Sequence, residues 1–216
     1  MIEKIQRYIS EKNLFSKDDN LLLAISGGAD SVALFFSLKA LGYQFELAHC
    51  NFNLRGKESD EDESFVKDLA NKNDVKLYVK NFKTQAYADA KKVSIQMAAR
   101  DLRYSWFNEL METRKLDFII TGHHKDDNVE TFLINLIRGS GVHGLLGIKY
   151  KKNKIIRPLL EISRDEIQQY LISENIKYRH DSSNKDLQYL RNKIRHKLVP
   201  ILREMNPNIK NRITEQ

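Results

Sequence analysis

The sequence predicts an α/β protein whose core is an open parallel sheet with helices on both faces. The first observation is a continuously apolar run at residues 21–25, which ends in a glycine-rich turn and a helical stretch. The second is a strand-like run at residues 45–49, which completes a β–α–β unit within the first 49 residues. The third is the alternation of strand-like and helical patterns up to about residue 160, which is typical of a parallel sheet.

Local patterns predict the elements around the first strand. Isoleucines and a phenylalanine at roughly helical spacing predict a short amphipathic helix over residues 2–15. A second helix is predicted over about residues 32–41, and it ends at Gly42, which suits a left-handed cap. The strand at residues 45–49 follows after a short turn.

Three further elements are predicted before residue 94. Ser59 and Asp62 have the spacing of a capping box and predict a helix that runs to about residue 73. The acidic run at residues 60–63 is interpreted as the solvated first turn of that helix, where carboxylates suit the helix dipole. A metal site is the alternative. Alternation predicts a third strand at residues 76–80, and a loop or weak helix follows it.

The second half of the chain continues the alternation. Ser94 begins a long helical pattern with apolar residues at core spacing. A fourth strand is predicted at residues 116–121. The basic residues 149–154 predict a hairpin-like turn before a last strand at residues 155–160, which Pro158 ends.

Two domains are predicted, a sheet domain over residues 1–180 and a helical appendage over residues 181–216. In the first, Ser163 and Glu166 have the spacing of another capping box and predict one more helix. In the second, Pro200 is expected to kink or restart a basic helix.

Composition limits the classes of protein and of partner. The chain has 36 basic and 29 acidic side chains, and its net charge of +7 favours a polyanionic partner. Cys50 is the only cysteine, which excludes an intramolecular disulfide or a cysteine-based metal cluster and fits the cytoplasm. Residues 1–12 have no signal-peptide core, and no apolar run is long enough to span a bilayer. We therefore expect a cytoplasmic protein with no membrane partner.

Residues 26–31 (SGGADS), here named the phosphate loop, connect the first strand to the next helix. Gly27 and Gly28 have no Cβ, so their backbone N–H groups can turn toward a ligand. Ser26 and Ser31 add hydroxyl donors, and the helix N-terminus adds a partial positive charge. The loop therefore suits an anion such as phosphate. A glycine-rich turn with a capping serine is the alternative.

A second chemically rich segment lies at residues 122–131 (GHHKDDNVET), after the fourth strand. Asp127 and Glu130 are three residues apart and share a face if the segment is helical. Two carboxylates beside a phosphate loop can hold Mg²⁺ or receive a cationic substrate. The alternative is that these are acids favoured by the dipole of a helix N-terminus, with a histidine bonded to the backbone.

Basic and glycine-rich segments predict contacts with RNA or a nucleotide. Asn53 and Arg55 lie in a polar loop after the second strand, at the edge where open α/β sheets bind ligands. Four glycines within residues 138–148 indicate a sharply bent backbone or one that packs on a flat partner, such as a base; a mobile loop is the alternative. Arg191 and Arg195 lie on consecutive turns of the basic tail, which is either a phosphate-tracking surface or a solvated helix face.

The phosphate loop resembles the SGGxDS loop of the N-type ATP pyrophosphatases, which cleave ATP between the α and β phosphates and adenylate a substrate oxygen. Six more segments occur in order and, with the loop, resemble the catalytic N-terminal domain of the tRNA(Ile)-lysidine synthases. These segments are HCNFNLRGKES from His49, MAARDLRY from Met97, GHHKDDNVET from Gly122, RGSGVHGLLGI from Arg138, RPLL from Arg157 and DSSN…YLRNKIRHKLVP from Asp181. The resemblance implies a sheet of the adenine nucleotide alpha hydrolase type.

The resemblance also implies a two-step reaction on the wobble cytidine, position 34, of tRNA(Ile) with a CAU anticodon. ATP adenylates the C2 oxygen of that cytidine and diphosphate leaves. The ε-amine of L-lysine then attacks C2 and expels AMP, which gives lysidine. The implied enzyme is a ligase that forms a C–N bond, and it uses ATP, L-lysine, tRNA(Ile) and Mg²⁺.

Roles for individual residues follow from the same resemblance. The residues expected to bind ATP are Ser26, Gly27, Gly28, Ala29, Asp30, Ser31, Ala48 and His49. Asp30 is expected to hold Mg²⁺, directly or through water. Asp127 and Glu130 are expected to bind lysine, with Asp127 also the candidate base, and Arg103 to stabilise the α-phosphate or the activated cytidine. The residues expected to bind tRNA are Asn53, Arg55, Arg191 and Arg195.

Most members of that family continue past the region that this chain covers, with further domains that grip the tRNA. The chain is therefore expected to bind adenine nucleotide and to hold tRNA poorly. A homodimer is kept as a candidate assembly.

Three other functions compete with this interpretation. A tRNA thiolase of the same superfamily typically uses cysteine pairs or an iron–sulfur cluster, and a single cysteine counts against it. An amide-forming ATP pyrophosphatase explains the phosphate loop but neither residues 122–131 nor the basic tail. A nucleotide-binding or RNA-binding module without turnover is the third alternative, and the intact acids and serines count against it.

Overall fold

The computed structural model describes residues 1–180, 188 and 190–214. Its centre is a six-stranded sheet with the strand order β3-β2-β1-β4-β6-β5. The strands are β1 (Leu21–Ala24), β2 (Phe45–Asn51), β3 (Leu77–Asn81), β4 (Phe118–Ile120), β5 (Lys151–Lys152) and β6 (Ile155–Ile156). Neighbouring strands are parallel except β5, which pairs antiparallel with β6. The predicted open parallel sheet is confirmed, and so is the hairpin-like turn before its last strand.

Helices follow the strands in the alternation that the sequence predicts. They are α1 (Ile2–Glu11), α2 (Ala29–Ala40), α3 (Lys57–Lys72), α4 (Thr84–Lys91), α5 (Ile95–Thr113), α6 (Lys125–Ile137), α7 (Val142–Leu145), α8 (Arg164–Ser173), α9 (Leu190–Lys193), α10 (Val199–Met205) and α11 (Ile209–Thr214). A π-helical turn at Ile194–Leu198 joins α9 to α10. No helix in this described part of the chain is long and apolar enough to cross a membrane.

Alternate residues of β1 are buried in two different hydrophobic clusters. Leu21 and Leu23 belong to a cluster that includes residues of α1, α2 and α8. Leu22 belongs to a second cluster, which Trp106 and Phe107 of α5 dominate. Side chains alternate between the faces of a strand, so helices cover both faces of the sheet, as predicted.

The strand order places a ligand-binding crevice beside β1. From β1 the chain moves outward to β2 and β3, and it then returns to place β4 on the other side of β1. In open α/β sheets such a switch point opens a crevice at the carboxyl ends of the strands. The phosphate loop leaves β1 at this edge, and the segment with Asp127 leaves β4 beside it.

Capping residues in the sequence predicted several helix ends correctly. The Ser94 hydroxyl accepts a hydrogen bond from the Met97 N–H and caps α5. Ser163 and Glu166 form a reciprocal capping box at the start of α8. Gly42 has φ +71° just after α2, as a left-handed cap requires.

The predicted capping box of Ser59 and Asp62 is wrong. Helix α3 begins two residues earlier, at Lys57, because Gly56 turns the chain with φ +50°. Both residues are instead buried within the helix: the Ser59 hydroxyl accepts from the Arg55 N–H, and Asp62 binds the Arg55 guanidinium. Asp60 lies in the first turn of α3 and is exposed, as predicted, whereas Asp62 of the same acidic run is buried.

The last predicted strand is shorter than residues 155–160, since β6 covers Ile155–Ile156 only. The glycine-rich segment at residues 138–148 does bend sharply, with φ +71° at Gly139 and +66° at Gly147, and α7 lies between these glycines. That this segment packs on a flat partner such as a base stays a prediction.

The described C-terminal residues form helices that pack on α6. Val129 and Leu133 of α6 share a small apolar cluster with Ile194. Pro200 lies in the first turn of α10, directly after the π-helical turn, so the predicted restart of the helix is confirmed. The sequence block that begins at Asp181 falls partly on residues 181–187 and 189, outside the described residues, and the division into two domains stays a prediction.

Candidate active site

Hydrogen bonds among its own residues hold the phosphate loop. The Ser31 hydroxyl donates to the Gly28 carbonyl at 3.0 Å and accepts from the Ser26 N–H at 3.2 Å. The Ser26 hydroxyl in turn accepts from the Gly28 N–H at 3.3 Å. Gly27 has φ +88°, a conformation that side chains with a Cβ rarely adopt. These bonds preform a loop whose hydroxyls lie at the N-terminus of α2.

The segment after β4 approaches the phosphate loop closely. A Cβ built on Gly122 would lie 3.1 Å from the Asp30 carbonyl carbon and 3.2 Å from the Ser31 nitrogen. Such distances leave room for hydrogen only, so this glycine allows the two segments to touch. The contact brings the acids of α6 beside Asp30.

His124 lies at the centre of this contact and is buried. Its Nε2 is 3.6 Å from the Asp30 Oδ2 and 3.6 Å from the Asp127 Oδ2. Asp127 also accepts from the His124 backbone N–H at 3.0 Å, which completes a capping box at the start of α6. Asp127 therefore combines both sequence interpretations, since it caps the helix and also faces the crevice.

The surroundings of the two carboxylates shift their pKa values in opposite directions. Burial raises the pKa of Asp30 above its usual range, against the attraction of His124. Burial acts the same way on Asp127, but the attraction of His124 and Arg191 outweighs it and lowers the pKa. Burial lowers the pKa of His123 to about 4, so this histidine is neutral near pH 7. Its Nδ1 lies 2.9 Å from the Thr121 hydroxyl.

Glu130 is buried and both of its carboxylate oxygens are bound by arginine. The Arg191 Nε donates to Oε2 at 2.7 Å, and the Arg195 Nε donates to Oε1 at 2.6 Å. The same two guanidinium groups lie 3.6 and 3.7 Å from the Asp127 Oδ1. This geometry counts against Glu130 as a direct ligand of lysine, because an ammonium group would have to displace two guanidinium groups. It instead gives Glu130 the role of holding the arginines beside Asp127.

Arg103 is supported by stacked aromatic rings. Its guanidinium lies 5.2 Å from the centre of the Phe52 ring, and Phe52 stacks on Phe82 with centroids 5.6 Å apart. Arg103 makes no hydrogen bond or ion pair with another residue in the described part of the chain. Its donors are therefore available to an anion in the crevice.

Two adjoining clefts open at this edge of the sheet. The smaller, of about 310 Å³, is lined by Ser26, Gly28, Asp30, Ser31, Ala48 and Asp127, among others. The larger, of about 670 Å³, includes His49, Asn51 and Arg55 in its wall. Ser26, Arg103 and Arg191 line both clefts, so a ligand in one cleft would lie next to a ligand in the other.

Some predicted site residues lie away from the cleft surface. Gly27 faces Phe65 and Val66 of α3, behind the loop, and Ala29 packs on the core. Asn53 has φ +52° and donates to the Phe82 carbonyl at 3.1 Å, so it shapes its loop.

The sequence interpretation missed three contributors to the site. His124 stood in the segment at residues 122–131, but nothing in the sequence distinguished it from His123. Tyr104 lines the smaller cleft, and no role was predicted for it from the sequence. Arg157 is buried near Tyr104, with its pKa lowered by burial, and its Nε has no hydrogen-bond partner among the described residues. Burial of an arginine carries no sequence signal of its own.

The donor set suits Mg²⁺ bound together with phosphate. Among the described residues no group of three or more His, Cys, Asp or Glu side chains could hold a metal alone. Mg²⁺, however, is commonly bound by one or two carboxylates plus substrate phosphates. Asp30 and Asp127 both line the cleft beside the phosphate loop and fit that requirement.

Comparison with known proteins gives matches over nearly the whole chain. The profile of the PP-loop domain matches residues 1–202. A tRNA(Ile)-lysidine synthase of Bacteroides thetaiotaomicron is 50% identical over 99% of this chain and 50% of its own length. One from Petrotoga mobilis is 35% identical over 96% of this chain and 68% of its own length. The chain thus spans about half the length of most of the curated relatives it matches.

Solved structures share the fold at low sequence identity. A U34-tRNA thiolase from Methanococcus maripaludis has a TM-score of 0.79 at 20% identity, and the match covers 99% of this chain and 76% of that one. An NH₃-dependent NAD synthetase from Campylobacter jejuni has a TM-score of 0.57 at 16% identity, with 99% and 90% covered. From the phosphate loop, the sheet and the curated relatives together, the chain belongs to the PP-loop family and, within it, to the family of the tRNA(Ile)-lysidine synthases.

Proposed function

We propose that this chain carries out the ATP-dependent ligation of L-lysine to C2 of the wobble cytidine of tRNA(Ile) with a CAU anticodon. The convergence of the phosphate loop and Asp127 in the smaller cleft, which shares Ser26, Arg103 and Arg191 with the larger cleft, carries the proposal. A nucleotide and an acceptor must meet in such a reaction, and adjoining clefts with shared walls suit that need. The high identity to enzymes named for this activity supports it.

In the first step the phosphate loop binds the phosphates of ATP. Ser26, Gly28 and Ser31 offer hydroxyl and N–H donors at a helix N-terminus. The C2 oxygen of the cytidine attacks the α-phosphorus, and diphosphate leaves. Arg103 faces both clefts and stabilises the negative charge that develops between them.

Asp30 would hold Mg²⁺ at the phosphates, directly or through water, as predicted from the sequence. When it is bound, the metal would neutralise part of the negative charge of the phosphates. Burial raises the pKa of Asp30, as expected for a carboxylate whose charge is balanced only when Mg²⁺ binds together with ATP.

In the second step the ε-amine of lysine attacks C2 and AMP leaves with the original oxygen. Asp127 keeps its charge over a wide range of pH because its pKa is lowered, so it suits binding of the incoming ammonium group. The amine must lose a proton before it attacks, and Asp127 is the candidate acceptor. Glu130 acts in this scheme through Arg191 and Arg195, which it orients.

The tRNA is proposed to approach from the side of the larger cleft. Arg55 and Arg191 line that cleft and offer positive charge to phosphates. Arg195 adds positive charge to the tRNA-binding set predicted from the sequence, and Asn53 shapes the loop that carries Arg55. The protein is proposed to work in the cytoplasm, and a homodimer is the proposed assembly, which sedimentation of the purified chain would test.

Incubation with ATP, labelled lysine and tRNA tests the proposal. We expect label in a tRNA(Ile) transcript with a CAU anticodon and not in the matched transcript with uridine at position 34. Equal labelling of both transcripts, or of neither, would count against the proposed reaction. A lysine-independent exchange of diphosphate into ATP without tRNA would favour an amide-forming pyrophosphatase instead.

A further inference from the structure

We infer that Arg179 is a positioning residue that holds the phosphate loop in its ligand-binding conformation from behind. Its backbone N–H donates to the Gly27 carbonyl at 2.8 Å. Gly28 and Arg179 also form an isolated parallel β-bridge. A segment distant in the sequence thus pairs with the loop as an added strand would.

This backbone contact fixes the direction of the next N–H group. In a trans peptide the C=O and the following N–H point in opposite directions. The Gly27 carbonyl points back to Arg179, so the Gly28 N–H points the other way, where it meets the Ser26 hydroxyl at 3.3 Å. Ser26 and Gly28 both line the smaller cleft, and the N–H is therefore presented on the ligand side.

The side chain of Arg179 anchors the contact to α3. Its Nε donates to the Asp62 Oδ1 at 2.9 Å, and its Nη2 donates to the Glu61 Oε2 at 2.8 Å. Asp62 is buried, so this end of the anchor is fixed by the core of the domain. Two bonds from one guanidinium to adjacent residues restrict both its position and its orientation.

Gly27 is enclosed between that helix and Arg179. A Cβ on Gly27 would lie 3.3 Å from Phe65, 3.4 Å from Val66 and 3.5 Å from the Arg179 Cγ. The loop is therefore supported from the rear by α3 on one side and by the stem of Arg179 on the other. Gly27 has φ +88° and, as a glycine, can adopt other backbone angles. Without the stem of Arg179, the peptide group that follows Gly27 can therefore rotate.

Asp62 connects this support to the larger cleft. The Arg55 Nη2 donates to its second oxygen, Oδ2, at 2.7 Å, and Arg55 lines the larger cleft. One buried carboxylate is thus shared by an arginine behind the phosphate loop and an arginine in the proposed tRNA surface. A substitution of Asp62 is therefore expected to affect the positions of both Arg179 and Arg55.

The expected consequence is a loss of preorganisation. Arg179→Ala leaves the chemical groups of the site in place, but binding must then order the loop. The Kd and KM for ATP should rise about tenfold while kcat changes by less than about threefold, since ground and transition states lose the same support. This expectation rests on the proposed use of ATP.

Amide hydrogen exchange and calorimetric titration with ATP test the inference on the full chain. The variants are Arg179→Ala, Arg179→Lys and Asp62→Asn. Lys67→Ala is the matched control, because Lys67 binds Glu63 at 2.7 Å on the same helix and, among the described residues, makes no hydrogen bond or ion pair with the loop. In Arg179→Ala, exchange at Gly28 should be at least about tenfold faster without nucleotide, because the loop opens more often. Arg179→Lys should restore part of the ATP affinity.

Exchange and affinity in Arg179→Ala that match Lys67→Ala would overturn the inference. Should Arg179→Ala fail to fold, the Arg179→Lys and Asp62→Asn variants decide by the same comparison. If the unaltered chain does not bind ATP, the proposed function fails, whereas the exchange rates still decide the role of Arg179. A fall in kcat without a change in KM would also contradict a positioning role.

Discussion

Asp127 and Glu130 are three residues apart on α6, yet they have different partners. Helical spacing predicted correctly that both side chains lie on one side of the helix. It could not predict that Arg191 and Arg195, more than sixty positions further along the chain, bind both oxygens of Glu130. Pairing between distant segments is a tertiary property that local patterns do not show. These ion pairs count against the lysine-binding role predicted for Glu130, whereas Asp127 lies beside the cleft.

Glu130→Gln should destabilise the protein, because it leaves two closely placed guanidinium groups without their shared anion. We expect a loss of about 2–4 kcal/mol in the free energy of unfolding, measured by urea denaturation at pH 7. Glu109→Gln is the control, since Glu109 pairs with Lys80 at the surface and should cost less than about 1 kcal/mol. Equal losses in the two variants would contradict the assigned role of Glu130.

Phe52→Leu should weaken the support of Arg103 without removing its charge. A cation–π contact of about 1–2 kcal/mol corresponds to a fall of about 5–30-fold in the rate of adenylation, if Arg103 stabilises the transition state. Phe52→Tyr keeps the ring face and should retain most of the rate. The measurement is single-turnover release of diphosphate, and identical rates in the two variants would count against the stacking argument.

The helices show which boundaries local sequence determines. Ser94 and Ser163 cap their helices through bonds to residues three positions on, and such caps were predicted correctly. Ser59 and Asp62 have similar spacing, but Gly56 allowed α3 to begin earlier, and Asp62 was recruited by Arg55 and Arg179. A local pattern is thus reliable where no distant charge competes for the same carboxylate.

Asp126 joins three helices and gives a pH-dependent prediction. It accepts from the Arg164 N–H of α8 at 2.9 Å and pairs with Lys210 of α11. Burial opposes its ionisation, but the bond to Lys210 and the bond to the Arg164 N–H lower its pKa. Because the folded pKa is lowered, the stabilisation is complete above about pH 4 and is lost as the pH falls through the lowered value.

Asp126→Asn should therefore cost about 1–3 kcal/mol of unfolding free energy at pH 7, and the difference from the unaltered protein should shrink toward pH 3. Chemical denaturation at the two pH values measures this. Asp165→Asn in the first turn of α8 serves as the comparison, since Asp165 forms no ion pair with any residue that the structure describes. A loss that is the same at both pH values would contradict the assignment to an ionised Asp126.

The fold class was predictable because β1, α2 and β2 make one β–α–β unit whose handedness is strongly constrained. The position of β4 beside β1, which creates the crevice, followed from no local pattern. The packing of the C-terminal helices on α6 was likewise not predicted, because apolar residues at helical spacing show which face of a helix is buried but not which helix covers it. Both features decide which chemically rich segments meet.

The net charge of +7 alone should not give tight tRNA binding. Arg55, Arg191 and Arg195 are engaged by Asp62 and Glu130, so a phosphate must compete with carboxylates for them. We expect a Kd for tRNA of about 1 μM or weaker near physiological salt, with a shallow salt dependence. Filter binding over a range of salt concentrations measures both quantities, and nanomolar affinity would contradict this expectation.

Transfer of AMP from α-labelled ATP to tRNA, with lysine left out, tests the central claim most directly. If the two clefts bring ATP and the wobble cytidine together, label should enter tRNA(Ile) with cytidine at position 34 and leave as AMP when lysine is added. Asp30→Asn should abolish the transfer. AMP formation that needs no tRNA, or labelling that ignores the base at position 34, would contradict the account.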